Sequence, residues 1–181
     1  APESPCEGKV HFPQVPADRN VGEVSGVAVH SKGEVAIFTR SNSAGGPAYG
    51  ATASQVLLFD KTGKFLREVG KGLYAWSYAH AIRFDKDDNL WAIDKGSDMI
   101  VRINPEGHVT MVFGRKKEAS DDAEPWKRVT PPLAPVNAQF RQPTAVAWDT
   151  EGNISLTDGP TNSRRPTSPK TADGAPSHRP P

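Results

Sequence analysis

One pattern occurs three times in this chain and leaves little freedom in how it can fold. Val24 to Phe38 reads VSGVAVHSKGEVAIF, Ser77 to Asp94 reads SYAHAIRFDKDDNLWAID, and Pro143 to Asp158 reads PTAVAWDTEGNISLTD. Each copy sets two short runs of alternating apolar residues around a polar turn (SKGE, DKDDN, DTEGN), which is the signal of a β-hairpin. Val27, Ile82 and Val146 hold one position in the three copies. A repeat accounts for everything in the central copy except His80, which stands two residues before Ile82 where the others have Ser25 and Thr144.

A second hairpin follows each of the first two copies. QVLLFDKTGKFLREVG (Gln55 to Gly70) recurs as MIVRINPEGHVTMVFG (Met99 to Gly114), with Phe59 and Gly63 both shifted by 44 residues onto Ile103 and Gly107. The unit is therefore four short strands in two hairpins. It repeats after 55 residues between Val27 and Ile82, and after 64 between Ile82 and Val146. No segment keeps a 3.6-residue period, so a helical solenoid is excluded. Four-stranded antiparallel units of this length are propeller blades, stacked face to face with apolar residues between them. The expected fold class is all-β, a partial β-propeller of about two and a half blades. Trp91 and Trp148 read as packing between blades.

Three regions follow from the pattern. Residues 1–21 hold four prolines and no periodicity and read as an irregular arm across the outside. Residues 22–164 carry the blades, interrupted by a Ser/Gly/Ala loop (Ser41 to Ser54) and a polar, Pro-rich insertion (Arg115 to Arg141) long enough to cover a site. Residues 165–181 contain five prolines and no Val, Ile, Leu, Phe, Trp, Tyr or Met, the composition of a disordered tail. The outer hairpin of the third blade is due there. A shifted reading frame permits a continuation such as His-Phe-Ser-Lys-Asp-Gly-Arg-Trp, a counterpart of Phe59 to Phe65, so the tail also reads as a frameshift product truncating a longer propeller.

Charge and cysteine content remove several classes of function. There are 22 basic and 21 acidic residues, a formal charge of +1, and no basic block or aromatic-basic face for nucleic acid. No apolar run approaches the roughly 20 residues of a membrane helix. The single Cys6 excludes an internal disulfide framework and reads as a surface thiol. Ala1 without a methionine fits a trimmed secreted or periplasmic product as well as an excised piece. His11, His30, His108 and His178 fall in turns or irregular arms and are expected in solvent. Asp85, Asp87 and Asp88 read as a hairpin turn, since DKDD lacks the rest of a calcium-loop series.

VSGVAVHSKGEVAIFTR, YAHAIRFDKDDNLWAID, FRQPTAVAWDTEGNISLTDG and the following NSR resemble successive NHL-type repeats of the peptidyl-α-hydroxyglycine α-amidating lyase family. The resemblance runs from about Gly22 to Arg164 and corresponds to the first half of a six-bladed propeller. It implies a zinc-dependent peptidylamidoglycolate lyase, which cleaves the C–N bond of a peptidyl-α-hydroxyglycine to a peptide amide and glyoxylate. By motif, His80 falls on a zinc histidine, and the backbone carbonyls of Val27 and Ile82 fall where the family holds a structural calcium. Arg40 falls on an arginine that engages the substrate carboxylate, which makes a peptide or small carboxylate the implied partner. Imidazole suits zinc, and a guanidinium grips a carboxylate with two parallel bonds. The family's catalytic tyrosine, in a DGY motif, is replaced in Asp158-Gly159-Pro160, and the aspartate after Pro143-Thr144 is Ala145. Two further zinc histidines would lie in blades beyond this sequence. The chain as written is therefore expected to be an inactive lyase relative. Two other readings follow from the same blades: a non-catalytic NHL module that binds a protein or peptide, and a homodimer whose two halves close one ring.

Overall fold

The structure is a computed structural model that describes residues 8, 10–40, 54–116 and 140–159, with the backbone of 167–168. Cys6, Pro160, His178 and most of the Ser/Gly/Ala loop, the Pro-rich insertion and the tail lie outside the described residues. Three antiparallel sheets follow one another along the chain, and no helix is present among the described residues, so none is long and apolar enough to cross a membrane. The first sheet runs in order β1 (Glu23–Val29), β2 (Val35–Arg40), β3 (Ser54–Phe59), β4 (Phe65–Val69). The second runs β5 (Ala79–Phe84), β6 (Leu90–Asp94), β7 (Met99–Ile103), β8 (Val109–Phe113). The third has β9 (Pro143–Trp148) and β10 (Ile154–Asp158), with the short β11 (Thr167–Ser168) paired to β10. This is a partial β-propeller, and the two β11 residues are paired inside the segment whose composition suggested disorder.

The turns explain why the repeat spells itself with Asp and Asn. Asp60 Oδ1 accepts the backbone N–H groups of Thr62 and Lys64, Asp85 Oδ1 those of Asp87 and Asn89, and Asp149 Oδ1 those of Glu151 and Asn153. A short side chain folding back on its own backbone fixes a tight turn locally. Asn104 does the same toward His108. In the first blade His30 replaces the carboxylate, and its Nδ1 accepts the Lys32 N–H at 3.0 Å. His30 is accordingly not in free solvent as expected: its ring meets Phe84 edge-on at 5.1 Å, and Nε2 lies 3.6 Å from Asp88 of the next blade.

Alternation along each strand sends successive side chains to opposite blade faces. Ala36, Phe38, Val56 and Leu58 of the first blade meet Ile82, Leu90, Ala92 and Val101 of the second, with Trp76 filling the space between. Trp91, Ile93 and Ile100 of the second blade meet Val146, Ile154 and Leu156 of the third. Trp91 contacts Trp148 edge-on at 5.4 Å and stacks on Phe113 at 6.2 Å, so both tryptophans serve inter-blade packing.

Ile37, Leu57 and Phe59 point to the face of the first sheet that no other described sheet covers. Val15 and Val21 of the N-terminal arm cover them. The arm is tied down by Gln14 N–H donating to the Gly63 carbonyl at 2.8 Å, and Arg19 lies over the Phe65 ring at 5.0 Å. Val27 and Val29 of β1 stay 60% and 64% exposed on that face, whereas Ile82 and Val146, the position-mates of Val27 and each covered by the blade before it, are 3% and 1% exposed.

Candidate functional site

His80 owes its placement to a break in strand pairing. In β5 the partners run from Ala79↔Asp94 to Ala81↔Ile93, which leaves His80 outside the ladder. The same break leaves out Ser25 between Val24↔Thr39 and Gly26↔Phe38, and Thr144 between Asp158↔Pro143 and Thr157↔Ala145. The offset that sets His80 apart in sequence is thus a bulge in the innermost strand of every blade, and a bulge re-aims its extra side chain. Ser25 donates its hydroxyl to the Phe38 carbonyl at 3.1 Å, and Thr144 shares a bond with Thr157 at 2.9 Å. His80 is half-buried. Burial pushes its pKa below the usual imidazole value of 6.5, Lys95 and Arg40 push it further down, and Asp94 opposes them. The downward shift favours the neutral ring, the form that accepts a proton or binds a metal.

Arg40, from the first blade, comes to the same place. Its Nε donates to the Ala79 carbonyl at 2.9 Å, its NH1 pairs with Glu23 Oε2 at 2.7 Å, and its guanidinium lies 3.7 Å from the centre of the Tyr78 ring. Two residues 40 positions apart in sequence, singled out for separate roles, are therefore neighbours across a blade boundary.

Val27 and Ile82 are also brought close, because β1 and β5 run side by side with Gly26 against Ile82. A Cβ at Gly26 would sit 2.9 Å from the Ile82 backbone nitrogen. Their side chains have opposite fates, exposed and buried, which leaves the main chain as what the pair has in common. Ala145 lies in β9 opposite Thr157.

Sequence reasoning missed the residues that hold this end of the blades together. Asp94 is fully buried and accepts the N–H groups of Ser77, Tyr78, Gly96 and Ser97. Its position-mates do related work: Thr39 donates to the Val21 carbonyl, and Asp158 accepts the Arg141 N–H at 2.6 Å. The signal was present in the shared endings AID and LTD of the second and third copies. Among the described residues no group of three His, Cys, Asp or Glu is placed to hold a metal ion.

No protein-family model matches the chain. It is 25% identical over 159 residues to a probable peptidyl-α-hydroxyglycine α-amidating lyase of Caenorhabditis elegans, an alignment covering 81% of this chain and 41% of that protein. It is 28% identical over 163 residues to peptidyl-glycine α-amidating monooxygenase B of Xenopus laevis, covering 80% of this chain and 16% of that protein. The chain thus spans less than half the length of these curated relatives. A catalytically inactive variant of virginiamycin B lyase from Staphylococcus aureus, solved with quinupristin, superposes with a TM-score of 0.54 at 16% identity, over 88% of this chain and 41% of that one. That likeness shows the propeller fold. Over about four-fifths of its length the chain is thus a partial match to a peptidyl-α-hydroxyglycine α-amidating lyase and to a peptidyl-glycine α-amidating monooxygenase, in a partial β-propeller.

Proposed function

We propose that this chain forms the His80-bearing portion of a lyase of the amidating type, one that cleaves the C–N bond of a peptidyl-α-hydroxyglycine to a peptide amide and glyoxylate. The observation that carries the reading is a half-buried imidazole whose pKa is pushed down, with a guanidinium from the neighbouring blade bonded to the carbonyl of the residue just before it. Arg40 is the group that takes the substrate carboxylate. Its NH1 already holds one, that of Glu23, so an arriving carboxylate must displace or share with Glu23. His80 is one zinc ligand, and the Val27 and Ile82 carbonyls belong to a structural calcium.

A catalytic zinc ordinarily takes three protein ligands, and His80 supplies one. The described residues alone do not make the site, and this chain by itself is not expected to release glyoxylate. What it contributes is binding and orientation: Arg40 fixes the carboxylate end of the substrate and His80 presents a neutral nitrogen beside it. Isothermal titration with an N-acylglycine tests this. Weak binding that falls at least about tenfold in Arg40→Gln, the loss of one charge-assisted pair, is the expected result. Equal binding by the variant would remove Arg40 from the carboxylate role.

Two observations favour other readings. Pro160 in place of the tyrosine suits a non-catalytic NHL module that binds a peptide or protein, in which case Pro160→Tyr in a longer chain restores no lyase activity. The exposed Val27 and Val29 suit a second copy closing the ring, an arrangement that light scattering would reject by finding a stable monomer.

A further inference from the structure

The bulge that frees His80 from the β5 ladder also deprives it of support from its own sheet. That support comes from the first blade. Arg40 and Ser54 are register partners at the ends of β2 and β3, and each takes one polar group of Ala79, the residue before the bulge. Arg40 Nε donates to the Ala79 carbonyl at 2.9 Å, and Ser54 Oγ accepts the Ala79 N–H at 3.0 Å. Ser54 and Ala79 are both buried. The guanidinium is itself held flat by Tyr78 and tethered by Glu23.

The next blade boundary shows which part of this clamp is general. Asp98, the position-mate of Ser54, accepts the N–H of Gln142 at 2.6 Å; Pro143, the mate of Ala79, has no N–H to offer. An acceptor at the head of the third strand is thus common to both boundaries. The guanidinium is not, for the mate of Arg40 is Lys95 and the mate of His80 is Thr144. Arginine and histidine occur together at one boundary.

We infer that Arg40 is a positioning residue for His80, its Nε edge fixing the peptide group ahead of the bulge so that the imidazole is held in one orientation, while its NH1 edge is the one that meets carboxylates. The functional meaning rests on the reading of His80 as a site residue, but the test does not. Three-bond couplings to the His80 side chain, measured by NMR on the full chain without metal or substrate, report whether the ring holds one rotamer. The wild type is expected to show a single rotamer. Arg40→Gln and Arg40→Lys should give averaged couplings and an Ala79 amide that exchanges at least about tenfold faster, as local opening becomes easier. Glu23→Ala, which removes only the contact at the other edge of the guanidinium, should leave the couplings unchanged. Lysine keeps the charge but cannot reproduce a planar Nε bond with stacking, so a single rotamer in Arg40→Lys would overturn the inference, as would equal loosening in Glu23→Ala. Should the Arg40 variants lose native tryptophan fluorescence, the wild type decides alone: averaged His80 couplings there, with the Arg40 bond to Ala79 in place, would overturn the inference. Failure of His80 to bind zinc would leave these couplings untouched and count against the functional reading alone.

Discussion

Asp94 gathers four backbone N–H groups onto one buried carboxylate, and through them fixes both the loop before β5 and the turn after β6. Replacing it with alanine strands buried donors with no acceptor, and each costs about 1–3 kcal/mol. Asp94→Ala is therefore expected to lose at least about 3 kcal/mol in urea unfolding, with Asp94→Asn losing less because one oxygen remains. Gly26→Ala tests the closest approach between blades. The added methyl would press on the Ile82 nitrogen at 2.9 Å and on its Cγ2 at 3.1 Å, and overpacking of this kind costs about 1–3 kcal/mol, read as a lowered Tm. At this scale the sequence was partly legible. His80 stood out by its offset, but the cause, a bulge, depends on register against β6, and no single strand's composition specifies that. Arg40 was legible only by resemblance, because its contacts lie in another blade.

Strands and turns were far more legible, because their causes are local. Period-two alternation marked all the long strands, and the Asp, Asn or, in the first hairpin, His30 that opens each of these turns carries its own hydrogen bonds. The contacts between elements were not. Asp88, read as part of a simple turn, reaches across to the first blade, where Ser31 donates its N–H at 3.0 Å and its hydroxyl at 2.6 Å. Those bonds favour the ionised form and hold the Asp88 pKa below the ordinary 3.8, with His30 and Lys32 assisting. A carboxylate whose folded pKa is depressed binds fewer protons folded than unfolded, so its stabilisation is present above the unfolded value and is lost as pH falls through the folded one. Acid unfolding should therefore gain a component below about pH 4 that Ser31→Ala reduces. Identical acid profiles for the two proteins would show that the latch does not hold the blades. The Trp91 contacts are another case: tryptophan at that place is matched by Ala36 in the first blade and Ser155 in the third, so the repeat conserves the strand while each interface is filled differently.

For the whole molecule, counting repeats gave the number of blades and left two end faces to be accounted for. The first is partly covered by the arm, expected across the outside, but no pattern in residues 1–21 announces which residues make the contact, because Val15 and Val21 are isolated apolar residues in an irregular segment. Val15→Asp and Val21→Asp together should uncover Ile37, Leu57 and Phe59, raise binding of an apolar dye and lower the Tm by several degrees, since about 1 kcal/mol corresponds to roughly 2–8 °C in domains of this size range. An unchanged Tm would mean that the arm contributes nothing to the blade beneath it. The arm also bears on the order in which the chain is made. It precedes β1 in synthesis, and it supplies from the chain already emerged the apolar cover that a ring would otherwise provide only on closing. The first blade can then bury its outer face while the later strands are still inside the ribosome, so folding runs forward with the growing chain, and the aggregation-prone interval that accompanies slow, non-local β assembly is shortened.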